Sequence, residues 1–235
     1  MPAPVRTLLA TVLIAALAGA GGFLAYRRLV TPTSDLTPIQ PSPSASSVEM
    51  PVDRKASNHL IPERVPAVTL TGLDGKRHAL ADFRAKTLII NFWATWCAPC
   101  RREIPLLQTL RQQRRAEGVE VVGIAVDFMD NVKQYVQNIK LDYPLLVGEE
   151  DGLAAAESFG MDLVLPFTIF ADAQRRIVTV KVGELHADEA AVILDTVREI
   201  NANTLDLAVA KPKLAAKIRD LANLRATQGA ARSGR

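Results

Sequence analysis

The chain of 235 residues has two cysteines, three positions apart in "NFWATWCAPC" at Cys97 and Cys100. On the first turn of a helix, thiols at that spacing close a small disulfide ring, and reversible thiol–disulfide exchange is the chemistry such a pair performs. A nucleophilic thiol needs a lowered pKa, which a helix N-terminus supplies through its unpaired N–H groups and its dipole. Cys97 is then the attacking group. Cys100, one turn on and directed inward, resolves the mixed disulfide formed with a substrate. The same spacing occurs in metal sites and in structural links. Zinc takes about four ligands, whereas His59, His78 and His186 have no ligand-like spacing to one another or to the cysteines. A purely structural disulfide over so short a loop would stabilise little. No metal or other cofactor is expected.

The surrounding pattern builds that helix start. "TLIINF" (Thr87 to Phe92) is a short apolar, β-branched run of the kind that forms a strand covered on both faces. From Pro99 to about Glu117 the periodicity is helical, with Ile104, Leu107 and Leu110 on one face and Gly118 as the stop. Cys97 therefore falls just past the end of a buried strand, where open α/β sheets carry their sites. Pro99 is tolerated in a first helical turn, and Pro105 is expected to kink the helix. Upstream, "AVTLTGLDGKRHAL" reads as a hairpin about Asp74-Gly75. Downstream come a second buried strand "VEVVGIAVD", helices near Asn131 to Ile139 and Gly152 to Phe159, strands "FTIFA" and "RIVTVKV", and a helix from about Asp188 to Ile200. This order indicates an α/β sandwich. We find no internal repeat.

The two ends of the chain differ in kind. Thr7 to Tyr26 carry no charged side chain, and twenty helical residues span about 30 Å, the hydrocarbon thickness of a bilayer. Residues 1–29 are expected to be a signal-anchor or transmembrane segment. The alternative is a signal peptide cleaved near Ala18-Gly19-Ala20, which would leave a soluble periplasmic protein. Residues 30–60 read as a Pro/Ser-rich linker, with five prolines and five serines between positions 31 and 51. A single folded unit is assigned to residues 61–202 and a basic extension to 203–235. The extension holds seven Lys/Arg against Asp206 and Asp220, more than the whole chain's surplus of +3. The rest is thus close to neutral, and no nucleic-acid surface is expected. Within the extension, residues 212–225 set Leu214, Ile218 and Leu221 on one helical face with Lys213, Lys217 and Arg219 off it. Such a helix can lie on lipid, dock on the domain or stay solvated. Being remote in sequence from Cys97, it is expected to be removable after Asn203 with reductase activity held within about twofold.

The stretch "FWATWCAPCRREIP" resembles the thioredoxin superfamily, specifically the membrane-tethered thiol-disulfide oxidoreductases of the TlpA/ResA type, over about residues 61 to 200. The resemblance implies a thioredoxin fold, a central mixed β-sheet flanked by helices, with a central insertion over about Asp127 to Phe159. It also implies that Pro166 in "VLPFTIF" is a cis-proline opposite the cysteines, exposing the backbone of Leu165 to an extended substrate; otherwise Pro166 is an ordinary strand-opening proline. Trp96 is expected to shield the reactive sulfur and meet substrate, while Phe92 and Trp93 belong to the core. Where thioredoxins bury an aspartate, this chain has Asn91, which takes no proton. Glu103 matches a glutamate that the ResA-like group carries after its motif and is the candidate acid–base group for Cys100; the alternative is a surface acid favoured in a helix's first turns. Ala98 and Pro99 place no charge between the cysteines, which favours a reductant over an oxidant. Implied partners are cysteine-bearing proteins outside the cytoplasm, apocytochrome c among them, and a membrane thiol-electron donor. The alternatives for the same cysteines are a peroxiredoxin-like peroxidase and a Cu(I) chaperone.

Overall fold

A computed structural model describes residues 60–233 except Leu163, so the expected membrane segment and nearly all of the linker lie outside the described residues. Among the described residues no helix is long and apolar enough to cross a membrane. The expected hairpin is present as β1 (Thr69–Gly72) and β2 (Arg77–Ala79), antiparallel, turning through Gly75 at φ +77°. β3 (Thr87–Trp93) is buried along its whole length, as its unbroken apolar run requires. Helix α1 (Ala98–Arg114) follows and passes through Pro105. It closes in a 3-10 turn at Arg115–Glu117, and Gly118 takes the left-handed conformation there with φ +83°.

β4 (Val119–Ala125) lies parallel to β3. Between β4 and the next core strand the chain forms α2 (Met129–Ile139), β5 (Leu145–Val147) and α3 (Glu150–Ser158), in the stretch expected to be the insertion. β6 (Phe167–Ala171) and β7 (Ile177–Val182) form an antiparallel pair, and α4 (Ala187–Asn201) follows. The sheet runs β2-β1-β5-β4-β3-β6-β7, with β3 in its interior between β4 and antiparallel β6. This is the mixed, helix-flanked sheet of a thioredoxin fold.

Alternation along β3 divides the core. Ile89 and Trp93 face α1 and α4, while Leu88, Ile90 and Phe92 face α3. On the α3 side Phe92 stacks on Phe167 with ring centroids 4.4 Å apart and meets Phe159 edge-on at 5.6 Å.

The basic extension forms one helix, α5 (Leu207–Ser233), longer than the 212–225 expected. Asp206 explains the earlier start: its Oδ1 accepts the N–H groups of Ala208 and Val209 at 2.8 and 3.3 Å, an N-cap ahead of Pro212. Of the three fates open to this helix, docking is the one observed. Ala210 and Leu214 are buried in the cluster that also contains Cys100, Ile104, Leu185 and Val197, with Ile218 packed against it. Lys213, Lys217 and Arg219 remain exposed.

Candidate active site

Seven strand residues carry the chain across the sheet to Trp93, and four more bring it to Cys97, the N-cap of α1. Cys97 and Cys100 are joined in a disulfide, with Cα atoms 5.3 Å apart. The Cys97 sulfur also accepts the Cys100 N–H at 3.3 Å, so one of the helix's unpaired donors is aimed at it. Its neighbours explain the difference between the two sulfurs. Cys100 faces the core and is fully buried, whereas Cys97 at the helix mouth retains 6% exposure. Beside it Trp96 is 63% exposed, far more open than Phe92 and Trp93, which are core residues as expected.

Glu103 is not a surface acid. It is 1% exposed, one turn beyond Cys100 on the inward face of α1. Its carboxylate accepts the Asn91 side-chain N–H at 2.6 Å on Oε1 and the Leu185 backbone N–H at 2.7 Å on Oε2. Asn91 donates also to the Thr168 hydroxyl at 3.0 Å. Burial raises the Glu103 pKa to about 7; the Leu185 and Asn91 hydrogen bonds and the charge of Lys181 oppose that rise, and Glu184 adds to it. The strand position held by an aspartate in thioredoxins thus carries a neutral amide that orients a carboxyl group supplied by the helix. A carboxyl group that titrates near neutrality thus lies one turn beyond the inner cysteine.

Leu165–Pro166 is a cis peptide bond at the start of β6, at the same end of the sheet as Cys97. Pro166 is buried, and Leu165 is half-buried against the cluster that holds both cysteines. Cys97, Cys100, Glu103, Trp96, Leu165 and Pro166 are therefore gathered at or behind one end of β3 and β6.

One residue of this region escaped the sequence reading. Asp127, just after β4, accepts the Thr95 N–H at 2.9 Å and hydroxyl at 2.5 Å on Oδ2, with the Phe128 N–H at 2.8 Å and the Asn131 amide at 3.0 Å on Oδ1. Burial works against its ionisation, but these donors, Thr95 foremost, hold its pKa below the ordinary aspartate value. It ties the loop before Cys97 to the start of α2 and leaves Phe128 exposed. The available signal was a carboxylate ending an apolar strand beside the motif strand. Among the described residues no cluster of three or more His, Cys, Asp or Glu side chains is placed to hold a metal ion.

Residues 61–180 match the AhpC/TSA family. Thiol-disulfide oxidoreductase ResA of Geobacillus thermodenitrificans is 28% identical over 134 residues, covering 57% of this chain and 75% of that protein. The protein of the same name from Bacillus cereus is 30% identical over 125 residues, covering 53% of this chain and 70% of the other. Among solved structures, a thiol:disulfide interchange protein of the thioredoxin family from Chlorobium tepidum superposes with a TM-score of 0.52 at 28% identity, covering 58% of this chain and 97% of that one.

Proposed function

Because the chain belongs to the AhpC/TSA family and is a thiol-disulfide oxidoreductase of the ResA and thioredoxin type, we propose that it works as an extracytoplasmic disulfide reductase on protein substrates. One observation carries this reading. The Cys97–Cys100 disulfide sits at a helix mouth with a buried carboxyl group titrating at about 7 one turn behind it. In the reduced enzyme the Cys97 thiolate attacks a substrate disulfide, forming one S–S bond as the substrate's own bond breaks and its first sulfur leaves as thiolate. Cys100 gives its proton to Glu103 and attacks Cys97, which closes the enzyme disulfide and releases the second substrate sulfur. Two electrons pass to the substrate, and two protons complete its thiols. The absence of a charged side chain at positions 98 and 99 supports the reducing direction.

Trp96, Leu165 and Pro166 form the surface on which an extended substrate strand pairs. The N-terminal apolar segment holds residues 61–202 on the outer side of the cytoplasmic membrane, a membrane thiol carrier re-reduces the disulfide, and apocytochrome c is among the substrates. Cys100→Ser is expected to accumulate mixed disulfides, whose partners mass spectrometry identifies, while Cys97→Ser abolishes insulin reduction. Normal turnover by Cys100→Ser, or peroxide consumption faster than insulin reduction by the wild type, would overturn the reading.

A further inference from the structure

The connection between β7 and α4, residues 183–186, is anchored at each of its four positions. Gly183, at φ +80°, donates its N–H to the Pro166 carbonyl at 2.8 Å. Glu184 accepts the Arg102 guanidinium through Nε at 2.8 Å and Nη2 at 2.5 Å. Leu185 gives its N–H to Glu103 Oε2, and His186 gives its N–H to Glu189 Oε2 at 3.1 Å. Two successive backbone donors thus serve two buried carboxylates, one behind the cysteines and one at the start of α4.

Glu189 is fully buried, and taking one partner from a buried ion pair is strongly destabilising. Lys181 of β7 approaches its Oε2 at 3.6 Å. The closer partner comes from α5: Arg225 Nη2 bonds Glu189 Oε1, while its Nη1 bonds the two oxygens of Asp188 at 2.8 and 2.7 Å. Leu214, about three turns earlier on α5, is 3% exposed in the cluster that contains Leu185 and Cys100. Charge and packing from the same helix thus bear on the same connection.

We propose that Arg225 is a positioning residue for thiol–disulfide exchange: by pairing with Glu189 it fixes residues 183–186 and so keeps the Leu185 N–H on Glu103. The proposal rests on the reading of Glu103 as the proton carrier for Cys100. It also brings a helix that lies beyond the family-matched segment into the working unit. The Leu185 N–H stabilises the ionised form of Glu103, so loosening it moves the group's titration upward. The other groups that bear on Glu103 are Asn91 of β3, Lys181 of β7, Glu184 of the connection and Tyr143 ahead of β5, and Cys100 lies one turn before it on α1. Arg225 acts through the backbone of Leu185 and His186.

The test uses the full-length chain, with the Glu103 carboxyl titrated by carbon-13 NMR and insulin reduction followed against pH. R225A is expected to move the Glu103 midpoint up by about half a pH unit or more, which from a midpoint near 7 halves the ionised fraction at pH 7 and lowers the rate there about twofold. R225K, which restores the cation, recovers most of the shift. R225Q keeps the polar stem without the charge and carries the same expectation as R225A should the latter fail to fold. A folded R225A or R225Q with an unmoved Glu103 midpoint overturns the proposal. Failure of the proton-carrier reading is a separate result: E103Q would then leave the rate profile unchanged, while the midpoint measured in R225A still reports the coupling.

Discussion

At the scale of single residues, the Glu103 carboxyl group links stability to pH. Its native pKa of about 7 stands above its ordinary 4.5 because burial penalises the charge, so the folded state holds the proton more tightly than the unfolded chain. The resulting stabilisation is fully present below pH 4.5 and is lost as pH rises through 7. E103Q stays neutral and keeps an acceptor for Leu185. The stability of the wild type relative to E103Q should therefore fall, by on the order of 3 kcal/mol, between those limits. Urea denaturation of both proteins at pH 4, 6 and 8 measures it, and a constant difference would contradict the burial argument. The candidate was legible in sequence through its match to the glutamate that the ResA-like group carries after its motif. Its burial was not, because Leu185, whose N–H it accepts, is 82 positions away along the chain. For the same reason Asp127 passed as the end of a strand: its partner Thr95 is 32 residues away.

Strands and helices near the motif followed the sequence pattern closely, because their apolar periods are strong and local: β3, α1, β4 and the β6–β7 pair fall within a few residues of expectation. The helix of the extension departed from it for a local reason, the Asp206 cap, and Pro212 is accommodated as an interior residue near the helix start. Packing between elements left a quieter trace at Gly123, which pairs with Asn91 across β3 and β4. A Cβ there would lie 2.4 Å from Leu145 Cδ2, 3.0 Å from Tyr143 and 3.2 Å from Trp93 Nε1. Gly123 thus lets the chain around β5 close on the same face of the sheet that α1 covers. Gly123→Ala forces Leu145 to move within a filled core and is expected to cost about 1–3 kcal/mol, read as a lower urea midpoint at an unchanged slope. A neutral result would mean that Leu145 repacks freely.

Taken whole, the described molecule closes its core with its last helix. Leu214 sits in the cluster that contains both cysteines, so Leu214→Ala should lower stability by about 2–5 kcal/mol. Truncation after Asn203 should lower the melting temperature by more than Leu214→Ala, since it also strips Arg225 from Glu189 and exposes the surfaces α5 covers. A truncated protein that melts with the wild type would return the extension to a dispensable role, as its remoteness in sequence implied. The docking itself could not be read from the sequence, because distance along a chain says nothing about which face of α4 is left bare. The direction in which the chain enters the sheet has a practical consequence of its own. Residues 63–65 pair with residues 175–177, where β7 begins, while Cys97 lies past the far end of β3, roughly 20 Å away along the strands. A bead, electrode or fusion partner joined just ahead of Leu60 therefore attaches at the pole opposite the disulfide, and an immobilised preparation made that way keeps its reactive sulfur facing the solution.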